Sequence, residues 1–357
     1  MELLRSEFLE LLKRVAPALA DDKQPLVPVL SHLCFDGKYV TAYDNAVAMR
    51  VPCKLDFKGA LPGSLLLSML GASAVENIGF EANDSEVQLK LGRAKLKLAS
   101  LPPDDFLFRR PDYSTATKLV LDEKLTAAFK VAARSASASM DDSSKSGITL
   151  RFGSKRLTLY ATDSKTLVRC QPPVRTPDLD GQSIIMPERF HSLLLRMGAK
   201  ELLFTEQGDM VGLGNGLELY GRVVQGAAPE QYENVIEASR LGDVPKADVP
   251  AILTRCLERA RLVNKELTTL SYEPGKLNLL STGQGSELRD SAKIDLGDES
   301  LEVTTGAESL LRYLDVTKQI GLSNHSVVME GDGFVVLVAV QQERAAAADE
   351  AGKAEAE

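Results

Sequence analysis

The chain repeats one pattern three times, and that repetition constrains the fold more than any single motif. The clearest pair is YVTAYDNAVAMRVPC (residues 39–53) and LTLYATDSKTLVRCQPP (residues 157–173). In each, an alternating strand runs into a corner, at Asp44 and at Asp163, and a second alternating run leaves it. Asp163-Ser164-Lys165 has turn chemistry. A fainter third copy, KLNLLSTGQGSELRDSAKI (residues 276–294), has Thr282-Gly283 at the expected turn. The corners recur about every 120 residues, the size of one compact domain. First helices are expected to start near residues 6, 122 and 249, and second helices near 62, 187 and 306. The first spans residues 6–19, with Phe8, Leu12, Val15 and Leu19 on one face and Pro17 distorting its last turn. Asp122 caps the first helix of the middle repeat, and Asn215-Gly216 marks a tight hairpin. Such a period is read before any motif, and it gives an α+β chain of three similar units, 1–116, 117–243 and 244–341. The Ala/Glu-rich end, 342–357, has no core-forming pattern and is expected to be disordered.

Composition narrows the class. With 357 residues, 44% of them hydrophobic and 26% charged, each third can build its own core. No apolar run approaches the eighteen or so residues of a membrane span, and the start MELLRSEFLELLKR is unlike a signal peptide, so a cytoplasmic protein is expected. Cys34, Cys53, Cys170 and Cys256 stand singly, without metal spacing, and read as buried thiols. A net charge of −8 excludes a uniformly basic surface but allows a local basic face on an acidic body.

Chemistry is hard to find. His32, His191 and His325 stand far apart with no carboxylate or cysteine at motif spacing in the sequence, and read as satisfied core or surface groups. The acid pairs Asp21-Asp22, Asp104-Asp105 and Asp141-Asp142 read as solvated turns, because adjacent carboxylates diverge where a metal or a general acid needs convergence. Gly212-Leu213-Gly214-Asn215-Gly216 leads to no helix and reads as a hairpin, not a phosphate cradle. No catalytic residue, metal or cofactor is expected.

The positive signal is the wet face of the helices. Lys13 and Arg14, then Lys130 and Arg134, then Arg255 and Arg261 fall on the first helices, with Arg259 nearer the border. The second helices add Arg196 and Arg312, and Lys23 and Lys265 extend the set. On one helix such residues merely aid solubility. Three similar units presenting them at corresponding places suit a surface that meets phosphates without reading bases. Trp is absent and Tyr and Phe are not interleaved with these cations, which favours duplex over single-strand stacking.

Over nearly its whole folded length the chain resembles the β subunit of bacterial DNA polymerase III, the β sliding clamp family. The carriers are PLVPVLSHL and the strand ending before Asp44, GITLRFGSKRLTLYATDSKTLV, Ile184-Ile185-Met186-Pro187 before a helix ending in Arg196-Met197, and Gly226-Ala227-Ala228-Pro229-Glu230-Gln231-Tyr232. The resemblance implies three clamp domains, each two helices packed on curved antiparallel sheets. Two subunits would close head to tail as a homodimeric ring that slides on double-stranded DNA without sequence preference. A DNA polymerase C-terminal or internal peptide would bind a pocket on it, and an ATP-dependent clamp loader would open it.

The resemblance carries over unevenly. It assigns the pocket threonine to Thr162 and its leucine to Leu167, with Val338 and Val340 near the closing wall. Where the family has Gly-His-Arg this chain has Ser164-Lys165-Thr166, and its polar tail replaces a Met-Pro-Met-like end. Leu96 and Leu98 fall at the family's first-domain edge and Leu262 at its last-domain counterpart. Lys95 and Lys97 beside Glu299 and Glu302 fit either complementary rims of that interface or two unrelated solvated faces. These departures fit a divergent clamp of bacterial or viral source, and leave as an alternative a clamp-like scaffold or decoy that binds polymerase peptides without loading on DNA.

Overall fold

The computed structural model describes residues 1–20, 27–83, 85–136, 146–154, 156–174, 179, 181–224 and 229–341. Lys23 and the end at 342–357 lie outside the described residues, as do the acid pairs at 21–22 and 141–142.

A five-element motif, strand, helix and three strands, occurs six times among the described residues. The first comprises β1 (Glu2–Leu4), α1 (Arg5–Val15), β2 (His32–Asp36), β3 (Tyr39–Tyr43) and β4 (Ala48–Pro52). The second comprises β5 (Lys58–Pro62), α2 (Gly63–Ala72), β6 (Asn77–Ala82), β7 (Glu86–Leu91) and β8 (Ala94–Ala99). The third comprises β9 (Thr117–Val120), α3 (Glu123–Ala133), β10 (Ile148–Phe152), β11 (Leu157–Thr162) and β12 (Thr166–Cys170). The fourth comprises β13 (Ser183–Met186), α4 (Glu188–Arg196), β14 (Glu201–Phe204), β15 (Asp209–Gly214) and β16 (Leu217–Arg222). A further helix, α5 (Pro229–Ala238), precedes the fifth: β17 (Lys246–Asp248), α6 (Ala251–Val263), β18 (Thr268–Glu273), β19 (Lys276–Gly283) and β20 (Ser286–Lys293). The sixth comprises β21 (Leu301–Thr305), α7 (Ala307–Leu314), β22 (Gln319–Leu322), β23 (Ser326–Gly331) and β24 (Phe334–Ala339). Each sequence repeat therefore holds two motifs.

The described chain forms two compact units, the first mainly Met1–Thr126 with Met186–Gln225, the second mainly Ala127–Thr176 with the described chain from Pro229 on. Each unit has one eight-stranded and one four-stranded antiparallel sheet. The first unit holds β5-β2-β3-β4-β16-β15-β14-β9 and β1-β6-β7-β8; the second holds β13-β10-β11-β12-β24-β23-β22-β17 and β20-β19-β18-β21. Neither large sheet belongs to one sequence repeat. Each takes four strands from one repeat and four from the next, joined through the last strands of two motifs, β4 to β16 and β12 to β24. The two remaining last strands, β8 and β20, are edges among the described residues.

Local chemistry sets the details. Helix α1 buries Phe8, Leu9, Leu12 and Val15, as its periodicity requires. It ends four residues before Leu19, because Pro17 lacks an N–H and its ring crowds the preceding turn; Ala16–Ala18 tightens into a 3-10 turn. Asp122 does cap α3, accepting the Leu125 N–H at 2.7 Å. The Asn215-Gly216 pair turns β15 into β16 with both residues at positive φ. In the third repeat the turn lies two residues beyond the expected one. Thr282 and Gly283 are still paired, with Glu287 and Ser286, and Gln284-Gly285 make the left-handed corner at φ +47° and +79°. All four cysteines are buried and unbridged, and burial pushes Cys34 and Cys170 up to about 12 and Cys53 to about 11.

Candidate functional site

The repeated corners have one design in both units. In the second unit, Asp163 ends the β11 side of the corner and its Oδ1 accepts the N–H groups of Lys165 (3.1 Å) and Thr166 (2.8 Å) and the Thr166 hydroxyl (2.8 Å). Thr162 Oγ1 donates to the Thr166 carbonyl at 2.7 Å and accepts the Ser164 N–H at 3.2 Å. Ser164 is left-handed at φ +71°. In the first unit Asp44 accepts the N–H groups of Ala46 (3.0 Å) and Val47 (2.8 Å), and Asn45 is left-handed at φ +75°. An arginine then approaches each aspartate. Arg189, from the first turn of α4, donates to Asp44 at 3.0 Å; Arg312, from the last turn of α7, donates to Asp163.

The second corner is more firmly tied. Arg312 also donates to the Arg134 carbonyl at 3.0 Å, while Arg134 donates to the Arg312 carbonyl and reaches both Asp315 oxygens, one at 3.0 Å. The buried Ser135 hydroxyl bonds to the Thr166 and Tyr313 hydroxyls. Burial pushes the Asp163 carboxyl up, but Arg312 and the Thr166 donors outweigh it and hold it below the usual carboxylate range. The Arg134 hydrogen bond likewise depresses Asp315.

The cations expected on wet helix faces therefore fall into two groups. Arg134 and Arg312 are half-buried and each is committed to a carboxylate and to the other's backbone. Their helix ends sit together, which a single-helix projection does not reveal. Lys13 is exposed and pairs with Glu10 at 2.7 Å, and Arg14 donates to the Asn215 carbonyl. With Arg196, Met197 and Leu217 these residues line a cleft of about 320 Å³ in the first unit. Lys130, Arg196, Arg255, Arg261 and Lys265 are exposed, and none has an ion pair with a described residue. Helix α2 contributes no charge; its exposed side carries Leu65 and Ser68.

The residues expected to wall one peptide groove lie in three places. Leu167 pairs with Leu337 across β12 and β24, and Thr166 pairs with Val338, so a period of two puts Leu167 and Val338 on opposite faces of the sheet. Val338 is buried on that other face and cannot share a wall with Leu167. Leu167, 8% exposed, packs with Tyr160, Tyr232, Ile236, Val328 and Leu337, and with Leu241 and Val244 from the chain after α5. Ser164 and Val340 instead line a polar cleft of about 340 Å³ with Lys165, Lys265, Glu266 and Arg312; Lys165 bridges to Glu266. Helix α5, absent from the sequence reading, covers the Leu167 face and receives Tyr160 and Arg169 on Glu233. Its only signal was the Pro229-Glu230-Gln231-Tyr232 closure.

The expected interface residues also separate. Leu262 is 82% exposed on α6, as its helical phase requires. Leu98 is 2% exposed and faces the core opposite Val87, so its side chain has no surface to offer a second chain; Leu96, opposite Leu89, is half-buried. Lys97 pairs with Glu86 in the same sheet, and Glu302 lies on β21, the edge of its sheet opposite β20. His191 is buried in α4 with neither ring nitrogen hydrogen-bonded, and burial lowers it to about 4; it is not the satisfied histidine expected. Among the described residues no cluster of three or more His, Cys, Asp or Glu side chains could hold a metal, and no helix is long and apolar enough to cross a membrane.

No protein-family model matches the sequence. The chain is 25% identical over 350 residues to the beta sliding clamps of Chlamydia muridarum and Chlamydia trachomatis, covering 90% of itself and 92% and 80% of those proteins. Its fold is similar to a crystal structure of the DNA polymerase III subunit beta from Pseudomonas aeruginosa, with a TM-score of 0.82 and 20% identity. It is equally similar to the Helicobacter pylori beta clamp bound to DNA ligase peptide, with a TM-score of 0.82 and 17% identity. Both alignments cover 96% of this chain and 99% of the other.

Proposed function

The chain is a divergent relative of the bacterial β sliding clamps, and we propose that it acts as one: a ring that encircles duplex DNA and tethers a polymerase and other partners to it. The observation that carries this reading is the pairing of last strands. Two such junctions, β4 with β16 and β12 with β24, close within the chain, and β8 and β20 are left over as edges. We take the third junction of the same kind to form between chains, β8 of one with β20 of another, a heterologous contact that closes head to tail. Two copies with three domains each make the ring. Leu262, exposed on α6 in the unit that carries β20, becomes an interface residue.

Enclosure replaces affinity. A topological tether keeps the polymerase at high effective concentration on its template, while diffuse phosphate attraction permits sliding. Lys13, Arg14, Arg196, Lys130, Arg255, Arg261 and Lys265 are the proposed phosphate contacts. The proposed partner site is the face of the second unit's large sheet around Thr162 and Leu167, with Ser164, Lys165 and Val340 at its polar rim. The Helicobacter pylori relative bound to a ligase peptide supports a linear peptide as the partner. An ATP-dependent loader, a cytoplasmic location and a scaffold role without catalysis complete the proposal.

With a matching loader, the protein should be retained on nicked circular plasmid and lost when the plasmid is linearised. Equal loss from both templates, with polymerase-peptide binding intact, would establish the scaffold or decoy instead. Sedimentation should give twice the chain mass, and a strict monomer at micromolar concentration would sink the ring. Arg196→Glu with Arg255→Glu should weaken DNA association and reduce its salt slope by about 2.

A further inference from the structure

We propose that Arg312 is a positioning residue for the partner site: through Asp163 it holds the Ser164–Thr166 corner in the shape that a bound peptide meets, and it is not a phosphate contact. The inference rests on the partner-site reading above. The chain of contacts is continuous within the second unit. The Arg312 guanidinium holds one Asp163 oxygen, and the other Asp163 oxygen holds the Lys165 and Thr166 N–H groups and the Thr166 hydroxyl. Thr166 in turn fixes Thr162 through its carbonyl.

The guanidinium is itself held from behind. Arg312 and Arg134 exchange donor-to-carbonyl bonds, and Arg134 is anchored by Asp315. This reciprocal arrangement fixes Arg312 before any ligand arrives, as preorganisation requires. Ser135 reaches the same Thr166 hydroxyl from the buried side and is itself held by the Tyr313 hydroxyl. Ser164 needs this support, because φ +71° is a conformation that serine adopts at a cost of about 1 kcal/mol. The first unit supplies the contrast: Arg189 meets Asp44 without a second arginine, and its remaining bond goes to the Pro17 carbonyl.

The test uses full-length Arg312→Gln and Arg312→Lys, a fluorescein-labelled polymerase C-terminal peptide read by anisotropy, and amide exchange at residues 164–166. Arg312→Gln should speed exchange at the corner by about 10-fold or more, weaken the peptide by a similar factor and leave the salt slope of DNA association unchanged. Arg312→Lys should restore part of both effects. Leu167→Asp is the control for the reading beneath. If it binds peptide like the wild type, the partner-site reading has failed and the proposal falls with it. If it abolishes binding while Arg312→Gln leaves corner exchange and affinity untouched, the proposal alone is overturned. A salt slope reduced by about 1 in Arg312→Gln, with corner exchange unchanged, would overturn it too and return Arg312 to the phosphate contacts. Should Arg312→Gln fail to fold, Asp163→Asn breaks the same link from the other side and is read in the same way.

Discussion

The Asp44 and Asp163 corners are built from the same turn and differ in what lies around them. Both use an aspartate to hold the following backbone, a left-handed residue in second place and an arginine from a distant helix. Beyond the corner they part. At the position of Leu167 the first unit has Ala48, which packs among Leu203, Val211 and Tyr220 under the aromatic strap of Tyr43, Phe108 and Tyr113. The second unit covers the corresponding face with α5, through Tyr232 and Ile236, and places a large aliphatic side chain beneath it. One corner is sealed by aromatic rings and a guanidinium, Arg110, that reaches Tyr220 and Glu218. The other ends at a cleft with Ser164 and Lys165 on its rim. A repeated backbone device can thus be structural in one copy and presented in another, depending on the segment laid over it.

The largest expected effects break this comparison at its packing. Leu167→Ala gives the second corner the side chain the first already has, and should cost about 3 kcal/mol by urea denaturation, as lost burial plus a residual cavity. A cost below about 1 kcal/mol would mean that the Leu167 face is loosely packed. Acid should separate the units next. His191 is held neutral in the first unit while the unfolded chain takes up a proton near 6.5, so unfolding gains protons as pH falls. That unit should lose about 3 kcal/mol progressively between pH 6.5 and 4. In the second unit Asp163 and Asp315 are depressed in the folded state. Their contribution is intact above pH 3.8 and is lost only as pH falls through their lower folded values. Amide exchange followed from pH 7 to pH 4.5 should therefore open the first unit before the second, and His191→Phe should erase the order.

Two smaller effects sharpen the comparison. Asp163→Asn should cost about 2 kcal/mol and Asp44→Asn about 1, because Arg312 is fixed from behind while Arg189 is half exposed and screened by solvent. Equal costs would remove the role assigned to the reciprocal arginines. Ser164→Gly should stabilise by about 0.5 kcal/mol, by relieving the left-handed serine against the greater entropy of unfolded glycine, and a change of the opposite sign would show that the Ser164 side chain is itself held.

The sequence carried the corner echo, the helix pairs and the aspartate turns, because these are local and depend on residue type. It hid the six-fold motif, because β1, β9 and β17 have only three or four residues and β5 buries three residues in a row, which masks a period of two. The faces of Leu98 and Val338 were hidden for a related reason. Alternation identifies two faces of a strand, but which face meets the core depends on the neighbouring strand. Arg134 and Arg312 looked like phosphate contacts because each projects to the wet side of its own helix or helix end, and only the approach of those ends to each other and to the Asp163 corner turns them toward carboxylates. Leu262 was legible, since an apolar residue at a solvent phase stands out on one helix alone.

The crossing of repeats in the two large sheets also sets the order in which the chain can fold. Strands β2 to β5 leave the ribosome early, but their sheet is complete only after β16 has been made, at Arg222, and the sheet begun by β10 to β12 waits for β24, at Ala339. Each nascent half-sheet therefore spends about 165 residues of synthesis, roughly ten to thirty seconds at ordinary elongation rates, with the edge of β4 or β12 unpaired. That interval favours pairing with the wrong partner, and it means that trimming the chain at residue 116 or 243 would leave a half-sheet with an open edge and no self-sufficient fold.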